Sequence, residues 1–431
     1  MDREPLSLYL HIPFCSLKCA YCDFNSYAGL DDLIEPYCDA LIEEMRLWGG
    51  VVRPRPVPTV FFGGGTPSLL PLAQIERIMG ALRESFALEP SPPSPLSRGA
   101  GEGENEVEVS LEANPGTVDL ECLRGLRAAG VNRISFGVQS FHDDELAALD
   151  RIHSAEEAVQ CYRWAREAGF ERINLDFIYG LSEQPMGRWQ HTLERAIDLA
   201  PDHMSLYALT VEEGTKLAYD IDHGRVPEPD GDVQAAMYEW SCERMAAAGY
   251  EQYEISNWAR PGQECRHNLV YWRNGEWLGL GPGAHSHWGG GGRRKREEGR
   301  SNGFRFADVY SPRRYIELVT ETAAEGVDTG AEPLEVLRQM RQVTYVEEQA
   351  ADAAMADAAI LGLRLNEGLD LAGFEQRYGV GLEAAYGPAL AEMTEAGLLE
   401  RANPDGHGGA VRLTARGRLL ANEVFVQLLP D

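Results

Sequence analysis

The chain of 431 residues predicts an α/β protein, a partial parallel (β/α)6 barrel followed by a smaller C-terminal helical, winged-helix-like domain. Three observations predict it. Across the first 210 residues, short apolar runs alternate with longer stretches whose apolar residues recur at intervals of three and four, the spacing of one helix face. Polar motifs fall at or just after the ends of those apolar runs. Beyond about residue 336 the rhythm changes to three helical segments and a small β-wing.

In chain order, the expected strands are 6–12, 59–64, 107–114, 133–139, 173–179 and 203–209, and the expected helices between them are 33–48, 72–86, 120–129, 155–168 and 189–199. Such repetition fits either a barrel or a doubly wound sheet. The polar motifs favour the barrel. A cysteine-rich loop follows the first strand, Gly63-Gly64-Gly65-Thr66-Pro67 ends the second, and Glu112-Ala113-Asn114-Pro115 ends the third. Gln139-Ser140 ends the fourth, and Asp176 lies late in the fifth. In a parallel barrel all of these ends open on one face, where active sites form.

Two segments interrupt the pattern. Residues 89–106 are rich in Pro, Ser, Gly and Glu and bury too little apolar area to order themselves, so they read as a disordered surface insertion. Residues 289–303 are similar but carry Arg293-Arg294-Lys295-Arg296, a basic run that adjacent Glu297-Glu298 marks as a solvated loop tip, with phosphate binding as the alternative. Residues 211–335 read as a barrel extension with a helix at 233–248. Residues 336–431 read as the C-terminal domain, with helices at 351–364, 371–378 and 387–396 and a strand at 410–413.

A chain of this length exceeds what one core usually supports, and 44% hydrophobic residues suffice for a packed interior. The net charge of −29 argues against sequence-independent binding to nucleic acid or anionic lipid, both of which require clustered cations. The C-terminal module is acidic as well, so packing or partner binding is expected of it in place of DNA binding. The start Met1-Asp2-Arg3-Glu4-Pro5 lacks the marks of a signal peptide, and no uncharged apolar run reaches membrane-spanning length, which predicts a cytoplasmic address. Eight cysteines are too few for a disulfide scaffold. Cys38, Cys122, Cys161 and Cys242 lie apart in helix-like segments, as buried small hydrophobes do.

Chemistry concentrates in Cys15-Ser16-Leu17-Lys18-Cys19-Ala20-Tyr21-Cys22, a CxxxCxxC spacing directly behind the first strand. Three thiolates from one loop would hold a cubane iron–sulfur cluster and leave one iron open. As a zinc site the trio would need a fourth ligand, from His11 or Cys265. The spacing, the strand before it and Tyr21 before the third cysteine resemble the radical S-adenosylmethionine (SAM) superfamily. That resemblance implies a [4Fe–4S] cluster on Cys15, Cys19 and Cys22. It also implies that SAM chelates the open iron and is cleaved by electron transfer to methionine and a 5′-deoxyadenosyl radical.

Glycine clusters mark tight backbone in many folds. In this superfamily, however, such a segment approaches the methionine amino group, which implies a SAM-binding role for Gly64, Gly65 and Thr66. Tyr9, Glu112, Gln139, Arg151 and Asp176 match residues lining the SAM site of the oxygen-independent coproporphyrinogen III oxidase-like family, which the chain resembles from Leu6 onward. Glu112 would accept from the cofactor's polar groups.

Two branches of that family differ at readable positions. The dehydrogenase branch, which converts coproporphyrinogen III to protoporphyrinogen IX, carries a fourth cysteine two places after the third and a longer N-terminal arm. Here the place is Phe24. The HemW haem-chaperone branch is more similar. Its HNxxYW marker is His267-Asn268-Leu269-Val270-Tyr271-Trp272, followed by Gly279-Leu280-Gly281-Pro282-Gly283-Ala284-His285-Ser286. The resemblance implies haem as a further ligand, delivered to acceptor haemoproteins. His267 is the first choice of axial ligand, Cys265 the second, with His285 and His287 after them. The alternative is that His267 and Asn268 are satisfied core polar groups. The same resemblance implies an electron donor to the cluster, peripheral contact with membrane enzymes, and a homodimer.

Overall fold

The computed structural model describes residues 4–52, 54–90, 106–289, 303–402 and 409–430. The two low-complexity segments, with their basic run, therefore lie almost wholly outside the described residues. Six parallel strands form where the apolar runs predict them: β1 (Ser7–Ile12), β2 (Thr59–Gly64), β3 (Glu108–Ala113), β4 (Arg133–Gln139), β5 (Arg172–Tyr179) and β6 (His203–Ala208). They are buried on both faces, as strands between helices and a filled interior must be, so they read as apolar runs with little alternation.

The intervening helices have identifiable ends. Asp119 accepts the Cys122 N–H at 2.8 Å to start Leu120–Ala129, and Gly130, at φ +113°, stops it. Ser154 and Glu157 form a reciprocal capping box at the start of Ala155–Glu167. The apolar face of each helix packs on the sheet in a core that runs from Leu6 to Met340.

Strands β1 to β6 lie side by side in chain order, each parallel to the next. A doubly wound sheet would reverse that order at a switch point, and this one does not. Four more strands continue the sheet beyond β1, in a stretch where the sequence shows no β/α rhythm, and two more continue it beyond β6. The latter are β7 (Glu251–Glu254) and β8 (Asn257–Ala259), which pairs antiparallel with β6. On the other side β9 (Trp277–Leu280) pairs parallel with β1, and β10 (His285–Trp288), β11 (Phe304–Asp308) and β12 (Val343–Glu348) follow antiparallel. The sheet order is β7-β8-β6-β5-β4-β3-β2-β1-β9-β10-β11-β12. Its two edges stay unpaired with each other, so the barrel is open.

The second unit has its own core, with Phe374, Val411, Leu413 and Val424 among its members. It comprises the helices Ala351–Leu363, Leu371–Tyr378 and Leu382–Glu395 and a three-stranded sheet. The boundary expected at 336 requires correction. Val336, Leu337 and Met340 pack in the large core and β12 extends the main sheet, so the second core begins only at Ala354. The third helix starts at Leu382, not 387. It breaks at Tyr386 (φ −129°), two residues before Pro388, because the proline ring cannot follow a regular turn. Among the described residues no helix is long and apolar enough to cross a membrane.

Candidate functional site

A cavity of about 490 Å³ opens at the carboxyl ends of the parallel strands. Of the twelve site residues expected from sequence, ten line it: Cys15, Cys19, Cys22, Gly64, Gly65, Thr66, Glu112, Gln139, Arg151 and Asp176. A more open groove of about 610 Å³ between the helices Ile34–Val52 and Leu72–Ser85 is lined by surface ion pairs such as Arg77–Asp39 and holds none of the motifs.

The cysteine loop is held from both ends and from within. Phe14–Cys15 pairs with Tyr27–Ala28, and the Cys22 N–H donates to the Cys19 carbonyl at 3.2 Å. The Lys18 ammonium donates to the Phe24 carbonyl at 3.1 Å. Each sulfur has a polar neighbour on a different wall. Cys15 Sγ lies 3.5 Å from Thr66 Oγ1, Cys22 Sγ 4.0 Å from Ser26 Oγ, and Cys19 Sγ accepts from Arg151 Nη1 at 3.4 Å. Burial, with the nearby thiols, pushes the Cys22 thiol up. All three cysteines are unpaired. Among the described residues no three Cys, His, Asp or Glu groups are arranged around a single metal ion.

The glycine segment is bound to that loop by more than a turn. The Gly65 N–H donates to the Ile12 carbonyl and the Thr66 N–H to the Phe14 carbonyl, both at 2.7 Å. A Cβ on Gly65 would stand 2.6 Å from the Phe14 oxygen, and one on Gly64, at φ +107°, 2.6 Å from the His11 ring. No side chain fits between the loop and β2.

The opposite wall carries charge. Glu112 accepts the Gly64 N–H at 3.2 Å, and burial together with the neighbouring Asp176 pushes its carboxyl up to about 8. Asp176 accepts from Ser135 Oγ and Asn174 Nδ2, both at 2.7 Å, and burial raises it too. Arg151 donates to the Gly137 carbonyl at 2.7 Å and to Asn114 Oδ1. Gln139 sits at φ +68°, a left-handed conformation rare for a residue with a Cβ, where the β4–β5 register shifts. A cationic side chain and a singly bonded buried carboxyl across one cavity can hold the two ends of an amino-acid zwitterion. Ile178, Tyr207 and Leu209 add an apolar wall that sequence reasoning missed. Tyr207 is 44% exposed although it sits in β6, and only its place in the open sheet explains that.

Two expected residues do not reach the cavity. His11 Nε2 donates to the Asn25 carbonyl at 2.8 Å, which leaves Nδ1 to accept from the Tyr9 hydroxyl at 3.0 Å, so Tyr9 acts on the cysteine loop through His11. His267 lies at the amino ends of the strands, opposite the cavity. Its helix, Arg266–Trp272, begins over Glu108, whose carboxylate receives the His267 N–H at 3.0 Å. The ring stacks on Phe61, with Nδ1 2.8 Å from Thr59 Oγ1 and Nε2 2.9 Å from Tyr271 Oη. Both nitrogens are engaged and the side chain is buried, so the axial-ligand expectation is not met in this conformation: His267 is here a satisfied core imidazole. Cys265 is likewise buried beside Glu108, and His287 is buried with Nδ1 2.8 Å from the Gly275 carbonyl. Of the four ligand candidates, only His285 is exposed.

Burial lowers the His267 ring to about 4. The unfolded chain takes up that proton near 6.5, so stability owed to the neutral ring is complete above 6.5 and declines as pH falls toward 4. His267→Ala is therefore expected to destabilise the protein by about 3 kcal/mol at pH 7.5, by loss of packing and two hydrogen bonds. The cost at pH 5.5 is expected to be about 1.4 kcal/mol smaller. Urea unfolding of both proteins at the two pH values checks this, and a cost independent of pH would remove the buried-neutral assignment.

The open sheet and the three-cysteine rim define a radical SAM protein, and comparison agrees. The family model described as the radical SAM superfamily matches residues 9–196, and that of the HemN C-terminal domain matches 350–420. The structure of coproporphyrinogen III oxidase (HemN) from Escherichia coli, a radical SAM enzyme, superposes with a TM-score of 0.76 at 25% identity, covering 99% of this chain and 91% of that one. The heme chaperone HemW of Bacillus subtilis (strain 168) is 36% identical over 425 residues, 99% of each chain. That of Mycobacterium tuberculosis (strain H37Rv) is 37% identical over 432 residues, covering 100% of this chain and 96% of the relative. The chain belongs to the HemW family of the radical SAM superfamily.

Proposed function

We propose that the protein is a haem chaperone, which takes up haem as cargo and passes it to acceptor haemoproteins, on a scaffold that also holds a [4Fe–4S] cluster and SAM. The observation that carries the reading is Phe24. It stands where the dehydrogenase branch has its additional cysteine, in a chain matched end to end by HemW relatives. Its side chain is 61% exposed at the cavity rim, an apolar surface and not a ligand.

Cys15, Cys19 and Cys22 would hold the cluster, which when bound supplies one open iron and a reducing electron for SAM. Arg151 would set its guanidinium against Cys19 and orient the SAM carboxylate, while Glu112 receives the amino group. Gly64, Gly65 and Thr66 keep that wall close to the loop, and Gln139 and Asp176 complete the polar lining. Tyr9 positions His11 behind the loop. Ile178, Tyr207 and Leu209 exclude water from the apolar side. An electron donor, contact with membrane enzymes at their periphery, a homodimer and a cytoplasmic address complete the proposal.

Haem titration of the anaerobically reconstituted protein, run beside a coproporphyrinogen III turnover assay, tests this. Stoichiometric haem uptake with no protoporphyrinogen formed is expected. Robust turnover with no haem uptake would replace the chaperone reading by the dehydrogenase one.

A further inference from the structure

Asn174 and Asp176 stand two places apart on β5 and share one of its faces, and Asn174 is paired in register with His203, the first residue of β6. Asp176 lines the cavity, whereas Asn174, His203 and Tyr253 of β7 are not among its lining residues. Asn174 and His203 are buried and Tyr253 half-buried. Buried polar groups need partners, and here each partner is the next member of a chain. Asn268, from the HNxxYW motif at the amino ends of the strands, donates from Nδ2 to Tyr253 Oη at 3.1 Å. Tyr253 Oη lies 2.9 Å from His203 Nε2, and His203 Nδ1 lies 2.7 Å from Asn174 Oδ1. Asn174 Nδ2 donates to Asp176 Oδ1 at 2.7 Å.

The chain admits one direction. Both Asp176 oxygens accept, Oδ1 from Asn174 Nδ2 and Oδ2 from Ser135 Oγ. The Asn174 amide therefore turns its carbonyl toward His203, which donates from Nδ1. Burial, with Arg133 nearby, holds that ring neutral, so Nε2 carries no proton and accepts from the Tyr253 hydroxyl. Tyr253 Oη in turn accepts from Asn268. All four bonds point their donors toward Asp176, and each polarises the next. The C-terminal unit grips the same strand, since the Asn366 N–H donates to the Tyr253 carbonyl at 3.0 Å and Asn366 Nδ2 to the Gln252 carbonyl at 2.6 Å.

We propose that Asn268, Tyr253 and His203 are positioning residues for SAM, which orient the Asp176 carboxylate through Asn174 from the opposite end of the strands. The inference rests on the reading of the cavity as a SAM site and deepens it. It gives Asn268 of the HNxxYW motif a role in that site without contact with the cofactor, because losing one link frees the rotors beyond it and leaves Asp176 without an aligned donor.

The test measures SAM affinity by equilibrium dialysis for the anaerobically reconstituted wild type, Tyr253→Phe, Asp176→Asn and the double variant, with urea midpoints in parallel. Tyr253→Phe removes one hydroxyl and keeps the ring. It is expected to lose about three- to tenfold in SAM affinity with cluster absorbance unchanged, and to lose nothing further in the Asp176→Asn background. Asn268→Ala, at the half-buried outer end, is a second route to the same result, with a loss in the wild-type background alone. Wild-type affinity in Tyr253→Phe and Asn268→Ala, wild-type affinity in Asp176→Asn, or an equal loss in both backgrounds would each overturn positioning through Asp176, the last showing general loosening of the fold. A wild-type protein that holds its cluster and binds no SAM would overturn the cofactor reading itself, and this inference with it.

Discussion

Replacing Cys19 with Ser is expected to abolish cluster assembly. After anaerobic reconstitution, wild type should hold about four irons and four sulfides per chain with a broad charge-transfer absorbance, and Cys19→Ser less than about one. The effect is large because Cys19 is the middle of three ligands and the only one whose sulfur faces a guanidinium: Arg151 Nη1 lies 3.4 Å away. A serine hydroxyl there cannot present a thiolate to iron, and Arg151 would keep a charge without its partner. The fold should survive, since the loop is tied by Phe14–Cys15, Tyr27–Ala28 and the glycine segment, none of which uses the Cys19 side chain. A full complement of iron and sulfide in the variant would end the cluster assignment.

Glu112→Gln is expected to weaken SAM binding while stabilising the cofactor-free protein. Loss of an acceptor that can ionise against the bound amino group costs about 1.5–3 kcal/mol, or about tenfold to a hundredfold in affinity. The stability gain follows from the raised pKa. The folded chain keeps the Glu112 proton to about 8, whereas the unfolded chain releases it near 4.5. The folded state thus binds more protons across that window, and wild type loses stability as pH rises through it, by on the order of 5 kcal/mol once pH passes 8. Glutamine carries no such loss. Urea unfolding of the two cofactor-free proteins should show the variant ahead at pH 8.5 and the gap closing toward pH 4.5. Parallel pH curves would show that Glu112 is ionised in the cavity without a cofactor.

Much of this site is legible before folding because it is encoded locally. CxxxCxxC puts three thiols on one short loop whatever surrounds it, and each parallel strand announces its own end with a change from apolar to polar residues. Hence the ends of β1 to β5 and the loop behind β1 carry nine of the expected residues to one cavity, and Arg151 joins them from beyond the helix Asp143–Ala148. What was not legible depends on pairing. Strands β9 to β12 are short and rich in aromatic residues, and nothing in their local pattern says that Trp277–Leu280 lies parallel to β1. Their register alone brings His285 to the rim and leaves His267 at the opposite end.

The sequence by itself determined the cofactor chemistry, through cysteine spacing and strand-end motifs, and it determined the branch, through Phe24 and HNxxYW. The tertiary structure decided which of the motif histidines, His267 or His285, is exposed. His267 and His285 are the same residue type in neighbouring motifs, and only packing distinguishes a ring held between Thr59 and Tyr271 from one open beside Tyr310. The physical reason is that availability of a nitrogen lone pair is a property of contacts brought from distant segments of the chain, which no local spacing records.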